Sequence, residues 1–142
     1  MVEHSSAEHQ SPSTYMGPSI GLPSLLSVSL ETRLEDKTVF GLQVGSLIYV
    51  HSFGARFIFG SNDPGWNFRY FVGAAILDGY GEYESDPSGT SGHGWFGVDY
   101  TLNEAKWRFS FETGGLLGGA PDRGFGFSGL TLTWGVSLLH SL

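Results

Sequence analysis

The sequence predicts an all-β chain folded as an up-and-down antiparallel barrel of eight strands, and three observations lead there. Short runs alternating apolar with small or polar residues recur along most of the chain. Asp, Asn, Gly and Pro punctuate them, as tight turns require, and no window carries a 3.6-residue apolar stripe with helix caps. Even spacing with short connections favours a closed meander over a Greek-key sandwich.

Residues 1–19, "MVEHSSAEHQSPSTYMGPS", are rich in Ser, Pro, His and Glu. They lack the basic and apolar regions of a signal peptide, so they are expected to form a flexible arm ahead of a barrel domain at 20–142. The alternating runs then fall at 24–34, 38–45, 47–60, 65–84, 92–102, 106–118 and 125–139. Between them stand "EDK", "GS", "SNDPG", "SDPSGTSG", "NEA" and "GGAPDRG". Seven visible runs leave the barrel one strand short, and the eighth is expected near 14–22. The apolar parity is even through Phe40, Leu42 and Val44 but odd from Tyr49 through Phe53, Phe57 and Phe59. A hairpin at Gly45-Ser46 explains the change; a bulge in one long strand would also do so and would leave six strands.

Composition narrows the class. Charged residues make up 15% of the chain, against the ~25% of soluble domains. The net charge of −7 excludes a nucleic-acid partner. There is no Cys, so disulfides and thiolate metal sites are excluded. No stretch approaches the ~18 apolar residues of a membrane-spanning helix.

Successive side chains on a strand face opposite ways, so parity sorts the residues onto two faces. One face collects Leu26, Val28, Leu30 and Leu34; Phe40, Leu42 and Val44; Phe53, Phe57 and Phe59; Trp66 through Ile76; Phe96 through Leu102; Trp107, Phe109 and Phe111; and Leu130 through Leu138. Only Thr32, His51 and Thr113 interrupt it, and it carries no Asp, Glu, Lys or Arg. The other face is mostly Gly, Ser and Thr, with Gln43, Asn67 and Phe71, and carries Glu31, Arg33, Arg56, Arg69, Asp99, Arg108 and Glu112. An eight-stranded barrel has an interior only wide enough for side chains to fill. The large rings would overfill it, whereas Gly, Ser and ion-paired Arg suit it. The barrel is therefore expected to be inverted, apolar outside and polar inside, which is the arrangement lipid demands: a transmembrane β-barrel. On that view Val72→Arg should block insertion far more than Gly73→Ser.

Phe40, Phe59, Trp66, Phe68, Tyr100 and Trp107 stand near one rim and are expected to form interfacial aromatics. The segments "GHGWFGVDYTL", "KWRFSFETGGLLGG" and "GLTLTWGVSLL" resemble, by pattern, strands of the small, mostly eight-stranded outer-membrane barrels of Gram-negative bacteria. The resemblance covers about residues 20–142. It implies a bacterial outer-membrane location, "EDK", "SNDPG" and "NEA" on the periplasmic side, and "SDPSGTSG" and "GGAPDRG" outside, open to protein or polysaccharide contact. The chain departs from the class in ending on Leu142 rather than Phe or Trp.

Some barrels of that class modify lipids, so a Ser/His/acid constellation is worth seeking. His51 and Ser52 are adjacent and point to opposite faces; His93 and Asp99 lie ~20 Å apart along one strand. Asp78, Glu82, Glu84 and Asp86 share a parity but lack the spacing of a Ca²⁺ loop. The Gly-rich stretch 114–129 lacks a phosphate-loop signature. No catalytic residue, metal or cofactor is expected. The seven charged residues of the polar face are expected to form a salt-bridged interior network. The rival readings are a soluble lipocalin-like barrel holding an apolar ligand and an outer-membrane lipid-modifying enzyme.

Overall fold

The computed structural model describes residues 13–23, 25–47, 50–79, 89–104, 106–118 and 129–142. It is a closed barrel of eight antiparallel strands, each hydrogen-bonded to its neighbours in sequence and the last to the first. The strands are β1 (Thr14–Gly21), β2 (Leu25–Glu35), β3 (Thr38–Leu47), β4 (Val50–Gly60), β5 (Gly65–Gly79), β6 (Gly89–Asn103), β7 (Trp107–Gly118) and β8 (Gly129–Ser141).

The eighth strand comes from the segment where the strand count required it. β1 begins inside the stretch whose composition reads as an arm; residues 1–12 lie outside the described residues. Gly17 and Pro18 hide its alternation, yet Tyr15 and Ser19 point inward and Met16 and Ile20 outward. Between β3 and β4 the turn is not at Gly45-Ser46. Those two residues are in the ladder, opposite Ser52 and His51, and the pairing runs on to Leu47 and Val50. The expected and observed registers both pair an even position with an odd one, so both invert the parity; the parity change by itself cannot locate the turn. β6 likewise claims Gly89–Gly92, expected as part of a loop.

Up-and-down connectivity gives the barrel two unlike ends. Three short turns, at 36–37, 61–64 and 104–106, lie at one end together with β1's start and β8's finish. There Leu142 N donates to Thr14 O at 3.0 Å and Ser141 N to Lys106 O at 2.8 Å. At the other end the chain runs through 80–88 and 119–128, outside the described residues. We refer to the short-turn end and the long-loop end.

The faces sort as parity predicts. Phe57, Phe109 and Trp134 stand on the outer wall, 45%, 41% and 45% exposed, while Arg56 and Arg108 are inside, 5% and 2% exposed. Rings meeting at the centre would have ruled out the inverted arrangement. The interior is less uniformly polar than the sequence suggests, however. Val39, Ile58, Phe71, Ala75, Trp95 and Leu116 pack there as an apolar cluster. They reach the interior because they share parity with the charged residues, and space is made for them by inward glycines. Gly97 and Gly114 face one another across β6 and β7. A Cβ on Gly97 would lie 2.8 Å from the Cα of Gly114 and 2.8 Å from the Phe71 ring.

Candidate functional site: the charged interior

Six of the seven charged residues assigned to the polar face meet inside the barrel: Glu31 from β2, Arg56 from β4, Arg69 from β5, Asp99 from β6, and Arg108 and Glu112 from β7. Arg69 and Asp99 are register partners and form a fork, Nε to Oδ1 at 3.0 Å and Nη2 to Oδ2 at 2.7 Å. The remaining ties cross the interior between strands that do not touch. Arg108 Nη1 donates to Glu31 Oε2 at 2.6 Å, Arg69 Nη2 reaches the same oxygen at 3.4 Å, and Arg56 pairs with Glu112 and lies 3.8 Å from Glu31. Glu31 is thus the hub of three guanidiniums.

Three Arg face three carboxylates, so the cluster is neutral as a whole, as burial away from water requires. The spare guanidinium donors and faces are also occupied. Asn62 Oδ1 accepts from Arg69 Nη1 at 3.0 Å and from Arg108 Nη2 at 3.4 Å, and Asn103 Oδ1 accepts from Arg108 Nε at 2.8 Å. The Arg56 guanidinium lies 4.6 Å from the ring centroids of both Phe71 and Trp95, and that of Arg108 lies 4.2 Å from Tyr15, within cation–π range.

Asn62 belongs to the turn between β4 and β5, not to a strand, and sequence reasoning missed it. The turn is drawn in by other side chains: Asn67 Nδ2 donates to Asp63 O at 2.7 Å and Asn103 Nδ2 to the same oxygen at 3.0 Å. Asn62 is thereby buried over the short-turn end of the ion cluster. Only the recurrence of Asn near turns hinted at this. Parity places Phe71 inward already in the sequence; Tyr15 and Trp95 carry the same signal but lie outside the residues sorted by face.

Arg33 is the exception among the seven. It is half-buried at the short-turn end of β2, where the ladder slips between Arg33 and Glu35. It lines a cavity of about 220 Å³ with Asp36, Lys37 and Asn62, and among the described residues no ion pair joins it to the six. Two residues beyond Glu31 along the strand, ~7 Å further out, its head is at the mouth rather than in the cluster.

Toward the long-loop end the inward side chains of the described residues include no Asp, Glu, Lys or Arg. Ser19 Oγ bonds Ser29 Oγ at 2.6 Å and Ser27 Oγ at 2.8 Å, and Gln43 Nε2 donates to Ser19 at 3.1 Å and Ser27 at 2.9 Å. On the opposite wall Ser91 Oγ and His93 Nε2 are 2.9 Å apart. Asp78 faces outward and accepts from Thr90 at 2.7 Å; Glu82, Glu84 and Asp86 lie outside the described residues.

On the outer wall Trp66, Phe68, Tyr100 and Trp107 are exposed and Phe40 and Phe59 half-buried, all on the strand halves nearer the short-turn end. They pack laterally: Phe68 with Tyr100 at 5.0 Å, Phe59 with Tyr70 at 5.4 Å, Phe40 with Phe57 at 5.4 Å and Trp107 with His140 at 4.6 Å between centroids. Gly73, offered by the sequence as a permissive inward site, is nothing of the kind. A Cβ there would sit 2.1 Å from Ala55 O and 2.6 Å from the Arg56 Cα.

Chemically, the ion cluster is a stopper. Its carboxylates are held by guanidiniums that stay protonated, and its side chains tie β2, β4, β5, β6 and β7 across the centre. No family model matches this chain, and neither a curated protein nor a solved structure is significantly similar to it.

Proposed function

We propose that this chain is a small integral barrel of a Gram-negative outer membrane, with a structural, adhesive or accessory role and no catalysis. The observation that carries this reading is the solvent preference of the outer wall. Among the described residues the outward strand positions between the rims bear mostly Leu, Val, Ile, Phe, Tyr and Trp, interrupted by small residues and by Thr32 and Thr113, and Asp and Glu occur outward only at the strand ends, as Asp78 and Glu35. A wall of that kind in water would be one continuous apolar patch, far beyond the few hundred Å² that soluble monomers show. In hydrocarbon it is the stable arrangement, and the closed ladder supplies the backbone partners that lipid cannot.

Other features agree. Strands of 8 to 15 residues bracket the ~9–11 that cross a bilayer when tilted. The exposed rings near the short-turn end suit a headgroup interface, one apolar side toward lipid and one edge toward water. That end would then face the periplasm, and the long-loop end would present the surface for a protein or polysaccharide partner. A lipocalin-like function needs a hollow apolar interior, and here ion pairs and rings occupy that space.

The test is folding into phosphatidylcholine vesicles, read by heat-modifiable migration on a gel and by protection from protease. The proposal expects a compact, protected band in vesicles and aggregation without lipid or detergent. A monodisperse, folded protein in plain buffer would overturn it.

A further inference from the structure

The barrel wall is not continuous at the long-loop end. Between β2 and β3 the ladder reaches only Ser27 opposite Gly45, whereas Leu25 remains paired with Gly21 on β1 and Leu47 with Val50 on β4. The two strands part over their last residues and leave a groove of about 670 Å³. Both faces of the sheet line it: Leu26, Val28 and Val44 from the outer face, Ser27 and Ser52 from the inner one. A crease in an intact sheet would expose residues of one parity only, so here the wall is open sideways.

The floor of this opening is polar and incompletely paired. Ser19 and Ser27 are bonded to Gln43 behind them, while the Ser52 hydroxyl, in the lining of the groove, is buried without a hydrogen-bond partner. Such groups are costly in an apolar surrounding unless something polar reaches them. Among the described residues His51 is the one titratable side chain in the lining, and no Asp, Glu, Lys or Arg joins it. Its height is also informative. It lies at the strand ends, which in a spanning barrel is the level of the ester and hydroxyl groups of the surrounding lipid.

We propose that the gap between β2 and β3 is a lateral binding site for a membrane lipid. The acyl chain lies along Leu26, Val28 and Val44, and an ester or hydroxyl group enters between the strands. The Ser52 hydroxyl donates to an ester carbonyl. This rests on the membrane reading above.

The experiment is photo-crosslinking of the full chain in phosphatidylcholine vesicles containing a phosphatidylcholine with a diazirine close to its acyl ester, with adducts mapped by mass spectrometry. Adducts are expected on the outward Val28 and Val44 and on the inward Ser27 and Ser52, with none on the inward Thr101 or Ser110. Ser27→Leu fills the floor of the gap, and the Ser52 adduct should be lost while those on Val72 and Phe109 persist. Ser52→Leu is the reciprocal variant, with loss at Ser27. Adducts confined to outward positions, or a Ser52 adduct unchanged in Ser27→Leu, would overturn the lateral site. An absence of adducts on Val72 and Phe109 as well would instead remove the membrane reading beneath it.

Discussion

The two halves of the barrel interior are built on opposite plans. Toward the short-turn end, six charged side chains and a buried Asn tie strands together across the centre, over distances the backbone ladder does not bridge. Toward the long-loop end the interior is Ser and Gln bonded to near neighbours, and the wall itself parts between β2 and β3. The outer surfaces differ by degree, rings crowding the closed half, while Leu117, Leu130 and Leu132 stand with Phe53 and Trp134 beside the open one. The contrast shows two ways of stabilising a narrow barrel. Cross-barrel ion pairs tie one half together through its centre, and short hydroxyl bonds between near neighbours serve the other.

If that contrast is real, the largest loss should come from the closed half. Arg69→Met leaves Asp99 without its fork and Glu31 short of one guanidinium, and unfolding in vesicles should be easier by about 3–5 kcal/mol. A denaturant midpoint equal to the parent's would break the comparison. Next comes the outer wall: Val72→Arg places a charge at mid-height and should cost about 2–4 kcal/mol in the same assay. Its partner in the test should be Ser137→Ala, because the close approach of Ala55 O makes Gly73→Ser a damaging change. We expect Gly73→Ala to cost about 1–3 kcal/mol through strain against β4, and tolerance of it would show that the wall is looser than drawn.

The open half should respond less. Ser29→Ala removes one hydroxyl bond to Ser19 and should cost about 1 kcal/mol. The smallest effect is expected at Arg33→Met, outside the cluster and near solvent, at about 0–1 kcal/mol. A loss at Arg33 as large as at Arg69 would mean that the seven charges act as one network after all.

The strand meander, the closing strand near 14–22 and the orientation of each residue were legible in the sequence, because side-chain alternation depends only on strand parity. The hairpin between β3 and β4 was misplaced for the same reason: parity reports that a turn exists, and a register shift of an even number of residues leaves no trace in it. Phe71 was legible inside by parity, whereas Trp95, one residue before the apolar set that begins at Phe96, was assigned to neither face. Gly97 on β6 leaves room for the Phe71 ring, and Gly54 on β4 leaves room for that of Trp95.

By itself, then, the order of residues determined which side chains face inward and which outward, and that the inward charges could balance. The choice of partners belonged to the closed fold. Glu31 meets Arg108, 77 positions away, only because closure places β2 and β7 on facing sides of a lumen narrow enough for an Arg to reach across. The seating of Asn62 and the parting of β2 from β3 are likewise three-dimensional decisions, since each depends on where neighbouring strands end, which no local pattern encodes.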